Sequence, residues 1–423
     1  MSQFINLLNF IIPAVVLFPI TIKGWASGIL IVSSIISIII IYKNRIKIIE
    51  IIDDSTKFNN LLILALCSFF LPFIVCLLTD TIKGVWLPRN YDAPLRYLLS
   101  IIIFIYISHY GWNVENRLKL MFGLSSIFTL FIIPFFPATG WVSLHSHRLS
   151  SPFIDPLIFG QLSLLLGVVS ILSIDMFNKK NLQNIILMLG GLIGIYLSIK
   201  TDSRTGWLAV PFVLAFNIFQ LLEQRLSKSI SALMALLLSL IIVLVLYNFT
   251  GNVKQRINTA IYEVKNYQWN ILSPTNGFNE RVGFVRIGYH LFTLRPLTGW
   301  QNFDISIHQD DPEIANFVSV ETRHGVKVSG FHNQFIDDMV KYGIFGLFSS
   351  LSVFLLPLLF FLYCYIKNIK KRLANIGIAI IFIQMISCLS HHVMSFKFVS
   401  SFYAMLIMIL IGLIALHVWG RRL

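Results

Sequence analysis

The chain has 423 residues, of which 56% are hydrophobic and only 12% are charged, and its formal net charge is +14 at pH 7. Its mean hydropathy of +0.78 lies far above that of charge-rich soluble domains. This composition excludes an ordinary soluble protein and indicates an integral membrane protein. In such a protein the basic residues first report which loops face the cytoplasm, so we expect no nucleic-acid partner.

Apolar segments follow one another along most of the chain. A transmembrane helix needs roughly 20 apolar residues, and about twelve segments meet that criterion. They predict helices at 5–21, 26–42, 61–79, 94–109, 119–137, 156–176, 182–199, 206–223, 228–248, 338–366, 373–390 and 398–419. The predicted fold class is therefore an all-α polytopic membrane protein of about twelve transmembrane helices.

The connection between the ninth and tenth predicted helices is unusually long. It runs from 249 to 337 and contains Trp269, Trp300 and scattered hydrophobic residues. Connections of this length are usually functional or disordered, and the aromatic content favours an ordered loop with short helices at the membrane surface. We expect three regions: nine helices in 1–248, the loop 249–337, and three helices with the C-terminus in 338–423.

The charges of the short loops predict the orientation in the membrane. Basic residues are roughly twice as frequent on one side as on the other, and cytoplasmic loops carry the excess. This rule places both termini in the cytoplasm and the long loop on the outer side.

Arginines nevertheless occur on or near the predicted outer side, against the positive-inside trend: Arg89, Arg96, Arg148, Arg204, Arg281 and Arg286. Guanidinium groups bind phosphate oxygens in a bidentate manner, so several of them around one outer cavity would suit a pyrophosphate. Each could instead reach the lipid headgroups or pair with Asp92, Asp155 or Asp202.

The stretch KTDSRTGW, residues 200–207, places several polar side chains between two predicted helices. Thr201, Asp202 or Ser203 can cap the helix that follows, which needs no substrate. Capping does not explain Arg204, because a cation at a helix N-terminus opposes the helix dipole. Arg204 is therefore a candidate functional residue.

The stretch GFHNQFIDDMVKYGIFG, residues 330–346, leads into the tenth predicted helix. We expect His332 in the first turn of that helix, on a face that packs inward with Phe335, Ile336, Met339 and Gly343. The positive end of the helix dipole disfavours a protonated imidazole. His332 would then be a neutral base, able to take the proton of an attacking hydroxyl.

An alternative explains the same stretch without chemistry. Ser329 or Asn333 can cap the helix, and Asp337 with Lys341 can form an i,i+4 ion pair. In that case His332 simply lies at the membrane interface.

Metal and nucleotide chemistry find little support in the sequence. The histidine pairs His145/His147 and His391/His392 lack the spaced acidic or thiol partners of a metal site. The glycine patterns of nucleotide-binding loops are also missing. We therefore expect no metal and no cofactor.

Three segments resemble a known family. HNQFIDDMVKYGIFG resembles the signature of the bacterial O-antigen ligases, a His-Asn or His-Ser pair followed at this spacing by Gly-x-x-Gly; His332, Asn333, Gly343 and Gly346 match it position by position. SRTGWLA at 203–209 and RPLTGWQNF at 295–303 resemble segments of the wider ligase and polymerase superfamily.

The resemblance implies a glycosyl transfer without metal or ATP. O-antigen polysaccharide would move from undecaprenyl pyrophosphate to a sugar hydroxyl of lipid A-core, at the periplasmic face of the bacterial inner membrane. The expected partners are this donor, this acceptor and the membrane lipids.

The resemblance also implies roles for individual residues. His332 would deprotonate or orient the acceptor hydroxyl, and Asn333 would hold the acceptor or the histidine. Pyrophosphate binding falls to Arg204 and to one loop arginine, for which Arg281 is preferred and Arg286 stays an alternative. Further arginines would extend the anionic track for donor or core phosphates: Arg89, Arg96 and Arg148.

Two other functions stay open. An O-antigen polymerase of the same superfamily would use the same donor with a growing chain as acceptor. A lipid-linked oligosaccharide transporter would show ionisable residues near helix midpoints and interrupted helices in matching halves.

Overall fold

A computed structural model describes residues 2–44, 57–136, 148–175, 181–203, 211, 215, 218–219, 222–223, 226–249, 251–269, 277–301 and 305–420. The elements of regular secondary structure within these residues are helices. The chain divides into two compact units. The first unit comprises Met1–Gly206, Leu351–Ser387 and Val393–Leu423, and the second comprises Trp207–Ser350 and Cys388–His392.

The first unit is a bundle of apolar helices. They are α1 (Ser2–Ile11), α2 (Trp25–Lys43), α3 (Lys57–Lys83), α4 (Asp92–Tyr110), α5 (Val114–Ile132), α6 (Pro156–Leu172), α7 (Asn181–Lys200), and later in the chain α14 (Lys371–Cys388) and α15 (Lys397–Trp419). Helix α15 is buried along its length and packs against α4 and α2. Helices α5 and α7 cross closely, since a Cβ on Gly190 would lie 2.2 Å from the carbonyl oxygen of Gly123.

The second unit contains the helices that follow. They are α8 (Lys228–Phe249), α9 (Gly251–Lys265), α10 (Gly277–Leu294), α11 (Pro312–Ala315), α12 (Val320–Ser329) and the first part of α13 (Gln334–Ile366). An apolar core holds α10 to α13 together: Phe284, Ile287, Leu291, Ile314, Val318, Val326, Phe331 and Val340. The long connection predicted from the sequence thus contains α9 to α12, while its side of the membrane stays a prediction.

Among the described residues, eight helices are long and apolar enough to cross a membrane. They are Trp25–Lys43, Lys57–Lys83, Pro88–Tyr110, Val114–Phe135, Leu182–Lys200, Gln334–Ile366, Lys371–Cys388 and Lys397–Trp419; shorter apolar helices are Gln3–Val16, Pro156–Leu172 and Ser229–Ile241. This confirms a polytopic α-helical membrane protein. The count of about twelve stays a prediction, because most of the helix expected at 206–223 lies outside the described residues.

Two predicted helices take a different form in the structure. The helix expected at 5–21 is α1 followed by a 3-10 turn at Ile12–Val16, where Pro13 lacks the N–H of an α-helical hydrogen bond. The helix expected at 338–366 begins earlier, at Gln334, and is interrupted at Gly343, whose φ of 66° and ψ of −153° are not helical. Glycine adopts such a conformation at little cost.

Candidate active site

Asn333, and not His332, sets the start of α13. The side-chain oxygen of Asn333 accepts hydrogen bonds from the backbone N–H of Phe335 at 3.0 Å and of Ile336 at 3.2 Å. These bonds satisfy two of the N–H groups that a helix start leaves without partners. The expected capping by Asn333 is confirmed, as is the ion pair between Lys341 and Asp337.

His332 therefore lies outside the helix, which corrects the expectation that it occupies the first turn. Its φ of 48° is left-handed, a conformation that is uncommon for residues other than glycine and is enriched at functional sites. A short loop between α12 and α13 thus presents the imidazole.

Ser329, Phe284 and His391 contact the His332 ring. The Nε2 atom lies 2.9 Å from the Ser329 hydroxyl oxygen. The Phe284 ring stacks on the imidazole with centres 5.3 Å apart and planes inclined by 20°. The His391 ring meets it edge-on at 5.1 Å. Two ring contacts and one hydrogen bond thus define the position and rotation of the imidazole.

His391 and His392 are a part of the site that the sequence did not predict. The ring centres of His392 and His332 lie 6.3 Å apart, and those of His391 and His392 lie 4.6 Å apart. Their spacing is not that of a metal site, so the sequence alone assigns them no role. The signal that could have found them is a polar SHH segment between two apolar helices, on the side predicted to face outward.

Arg281 lies beside His332 and supports the loop from α10. Its Nη1 atom donates a hydrogen bond to the backbone oxygen of Ser390 and another, at 3.4 Å, to that of His332. One guanidinium thus joins the two segments that carry the histidines.

Arg286 has different neighbours. Five residues after Arg281, it lies about 140° further around the helix. The centre of its guanidinium lies 3.9 Å from the ring centre of Phe317 and 4.7 Å from that of Trp269. Its Nη1 donates to the Trp269 backbone oxygen at 2.8 Å. The Arg281 guanidinium thus contacts the His332 backbone, whereas the Arg286 guanidinium contacts aromatic rings.

The RPLTGW segment closes on the break in α13. Trp300 N–H donates to the Val340 oxygen, and Ile344 N–H donates to the Pro296 oxygen, each at 2.8 Å. Backbone groups released by the break thus find partners, which buried peptide groups require. The approach needs glycine, since a Cβ on Gly343 would lie 2.5 Å from the Leu297 backbone. Two segments far apart in sequence are therefore joined, and we call the RPLTGW segment together with the backbone around Gly343 the frame.

In the first unit, Arg148 binds the turn that follows α7. Its Nε donates to the Thr201 oxygen at 2.8 Å and its Nη2 to the Asp202 oxygen at 3.3 Å. Asp202 has a left-handed φ of 52°. A Cβ on Gly160 would lie 2.2 Å from Thr201 Oγ1, so α6 also approaches this turn. The structure brings Arg148 to the KTDSRTGW stretch, of which Arg204 itself lies outside the described residues.

The remaining outer arginines lie elsewhere in the first unit. Arg89 is exposed in the 3-10 turn Pro88–Tyr91, and Arg96 lies in the second turn of α4. Asp92 forms an ion pair with Lys397 at 2.5 Å, and Asp155 caps α6 through the backbone N–H of Leu157. The convergence of the arginines on one pyrophosphate stays a prediction, as do the substrate-binding roles of Arg89, Arg96, Arg148 and Asn333.

Metal ligands are not grouped in the part of the chain that the structure describes. No set of three or more His, Cys, Asp or Glu side chains there has the arrangement to hold an ion. The rings of His332, His391 and His392 are thus in contact without forming such a set. Metal independence stays a prediction.

The comparison with known protein families bears directly on this site. The family described as O-antigen ligase matches residues 186–351. This match supports assigning the segment 186–351 to the O-antigen ligase/polymerase superfamily. A comparison with curated proteins gives no match.

The superfamily segment contains the frame described above. It runs from within α7 to just beyond the break in α13 and includes His332, Arg281, Gly343 and the RPLTGW segment. Similarity of this segment to the family suggests a glycosyltransferase-like ligase or polymerase activity. The segment ends before His391 and His392, so these histidines are contributed by a later part of this chain.

Proposed function

We propose that this protein is an O-antigen ligase. It transfers O-antigen polysaccharide from undecaprenyl pyrophosphate to a sugar hydroxyl of lipid A-core in lipopolysaccharide biosynthesis. The enzyme lies in the bacterial inner membrane with both termini in the cytoplasm and its site at the periplasmic face. The observation that carries this proposal is the hydrogen bond from Arg281 to the backbone oxygen of His332, within the segment that matches the family.

The reaction has one bond-forming and one bond-breaking event. The acceptor hydroxyl oxygen attacks the anomeric carbon of the donor sugar, and the bond from that carbon to the pyrophosphate oxygen breaks. The hydroxyl proton passes to His332, and the electron pair leaves with undecaprenyl pyrophosphate. A positioned base contributes roughly a hundredfold to ten-thousandfold to such a step.

Arginine stabilises the charge that grows on the leaving pyrophosphate. A guanidinium presents paired donors to phosphate oxygens, and such groups act most strongly where charge develops in the transition state. We assign this role to Arg204 and Arg281. The leaving pyrophosphate is already a stable anion, so neither a protein acid nor a metal is required for its departure.

Reconstituted transfer tests the proposal. Purified protein in detergent is supplied with lipid-linked polysaccharide and lipid A-core, and polymer-bearing lipopolysaccharide is measured with and without EDTA. Transfer that persists in EDTA supports the metal-independent reaction. A protein that binds both substrates and forms no product would contradict it.

Arg281 and Arg286 provide a matched pair for the leaving-group role. Arg281→Ala is expected to lower kcat roughly tenfold to a hundredfold. Loss of one charge-stabilising donor typically lowers kcat by about a hundredfold to a thousandfold, so this is the lower part of the effect. Arg286→Ala is expected to stay within about threefold of wild type, because its guanidinium is held between two aromatic rings. The reverse order would transfer the assignment to Arg286.

An O-antigen polymerase is the nearest alternative, because it shares the superfamily. A deletion strain separates the two functions by electrophoresis of its lipopolysaccharide. Loss of a ligase leaves full-length polymer on the lipid carrier and a bare core. Loss of a polymerase leaves core capped with a single repeat, and that result would reassign the protein.

A transporter is the third alternative. Broken helices of transporters expose backbone groups that bind substrate or ions. In α13, by contrast, Trp300 N–H and Ile344 N–H take part in hydrogen bonds between the break and the RPLTGW segment. This difference favours an enzyme over a transporter.

A further inference from the structure

Arg295 is an exposed arginine whose guanidinium lies over an aromatic ring. It follows Leu294, the last residue of α10, and begins the RPLTGW segment. The centre of its guanidinium lies 4.1 Å from the ring centre of Trp300. Such a contact attracts the cation to the face of the ring and leaves the N–H groups at its edges directed outward.

The Trp300 ring is a fixed support for this cation. Its indole N–H donates to the Leu291 oxygen at 2.8 Å, and its backbone N–H donates to the Val340 oxygen at 2.8 Å. The His308 ring meets the indole edge-on, with centres 4.7 Å apart. Because the ring is held from several sides, a side chain lying over it loses less freedom when it binds a ligand.

The donor atoms of Arg295 are not used within the described part of the chain. Among those residues, no oxygen accepts a hydrogen bond from its guanidinium and no carboxylate forms an ion pair with it. Arg281 and Arg286, by contrast, each donate to a backbone oxygen. The N–H groups of Arg295 are therefore available to an anionic ligand.

The surroundings of Arg295 are those of a membrane interface. Its neighbours Leu294 and Leu297 are exposed apolar residues. The RPLTGW segment closes on α13 at Gly343, and the charged residues of that helix all come before this glycine. The apolar layer thus begins near the closure, and an arginine with a tryptophan at this level is typical of the headgroup region.

We propose that Arg295, held over Trp300, binds a phosphate group of a lipid at the membrane interface. A guanidinium donates paired hydrogen bonds to phosphate oxygens. Three sources share this chemistry: the pyrophosphate of the lipid-linked donor, a phosphate of lipid A-core, and the headgroup of a bilayer phospholipid. The two substrate sources rest on the proposed function, whereas the binding chemistry does not.

The position of Arg295 predicts an effect on binding more than on the chemical step. Trp300 is bonded to Val340, seven residues after Asn333 at the start of α13, and seven helical residues span about 10 Å. A contact so far from the reacting atoms is made equally in the ground state and the transition state. Its loss raises KM and leaves kcat nearly unchanged.

Binding of inorganic pyrophosphate to the purified full-length protein in detergent tests the site directly. Arg295→Ala is expected to raise Kd roughly fivefold to tenfold, because a charge-assisted contact is lost. Arg295→Lys keeps the charge without the planar guanidinium, and we expect its Kd to stay roughly threefold above that of wild type.

The matched control is Lys265→Ala. Lys265 is the exposed last residue of α9 in the same unit, so its loss changes the net charge equally, and we expect Kd within about twofold of wild type. The proposal is overturned if Arg295→Ala binds pyrophosphate as wild type does, if Lys265→Ala loses as much affinity, or if Arg295→Lys loses none.

The reconstituted transfer assay identifies the source of the phosphate. A higher KM for the donor alone in Arg295→Ala assigns the donor pyrophosphate. A higher KM for the acceptor alone assigns a core phosphate, and a dephosphorylated acceptor should then abolish the difference from wild type. Weaker pyrophosphate binding with both KM values unchanged assigns the phospholipid headgroup.

Failure of this proposal and failure of the proposed function give different results. A protein that binds pyrophosphate through Arg295 and transfers no polysaccharide contradicts the proposed function and retains the phosphate site. A protein that transfers polysaccharide, while Arg295→Ala keeps the wild-type Kd for pyrophosphate, retains the function and loses this site.

Discussion

Two groups of histidines lie in the second unit, and different neighbours hold them. His290 Nε2 and His308 Nδ1 both bond to one carboxylate oxygen of Asp311, at 3.0 Å and 2.9 Å. His332 instead bonds to the hydroxyl of Ser329 and contacts the rings of other side chains. The first group is built on a charge and the second on a hydroxyl and ring packing.

The Asp311 carboxylate and its hydrogen bonds to His290 and His308 join two segments of the chain, and we call them the clasp. An ionised carboxylate only accepts hydrogen bonds, so His290 and His308 both donate to Asp311 and join α10 to the turn before α11. The hydrogen bonds from His290 and His308 lower the pKa of Asp311. The neighbours of a histidine, more than the number of histidines, thus distinguish a structural tie from a candidate base.

The largest expected effect is the difference in kcat between a variant of the His332 group and a variant of the His290 group. His332→Ala is expected to lower kcat for transfer by roughly a hundredfold or more, because the proton acceptor is lost. His290→Ala removes one bond of the clasp and is expected to leave kcat within about threefold of wild type. Equal losses in the two variants would end the distinction between the groups.

The frame around Gly343 should matter to both groups, because the RPLTGW segment ends at Trp300, whose ring packs against His308. Gly343→Ala forces alanine into a backbone conformation that glycine alone adopts readily, at about 1–3 kcal/mol, and places a Cβ 2.5 Å from the Leu297 backbone. We expect a lower melting temperature and little transfer. Gly277→Ala is the control, since nothing lies within 4 Å of its Cβ; a normal melting temperature for Gly343→Ala would refute the frame.

His391 should show a smaller effect, through the position of the His332 ring. His391→Ala removes the edge-on contact and is expected to lower kcat roughly tenfold. This loss is smaller than the roughly hundredfold loss that a 1 Å displacement of a catalytic group can produce. His391→Phe keeps a ring and is expected to restore part of that loss. An alanine variant with wild-type kcat would show that Phe284 and Ser329 suffice.

Asp311 gives the smallest effect, seen in stability and not in transfer. Its lowered pKa means that the clasp stabilises the fold above the unfolded-state value of about 3.9 and loses this contribution as the pH falls through the lower folded-state pKa. Asp311→Asn should lower the melting temperature by roughly 1–4 °C at neutral pH. The difference from wild type should vanish in acid; a constant difference would show that charge plays no part.

Much of the membrane architecture follows from local features of the sequence. The helices Trp25–Lys43 and Lys397–Trp419 lie close to the predicted 26–42 and 398–419, because the length and composition of an apolar segment decide whether it forms a spanning helix. Pairs close in sequence were also predictable. The Asn333 cap and the Asp337 to Lys341 ion pair need only helical spacing.

The sequence by itself thus determined the membrane helices, the superfamily signature and His332 as the leading candidate. Tertiary structure decided the rest: His332 lies outside the helix, Arg281 supports it where Arg286 does not, and His391 packs on it from almost sixty residues away. The physical reason is the range of the interactions. Helix formation and capping depend on neighbours within a few residues, whereas ring contacts and the closure of the RPLTGW segment on Gly343 depend on how distant segments pack.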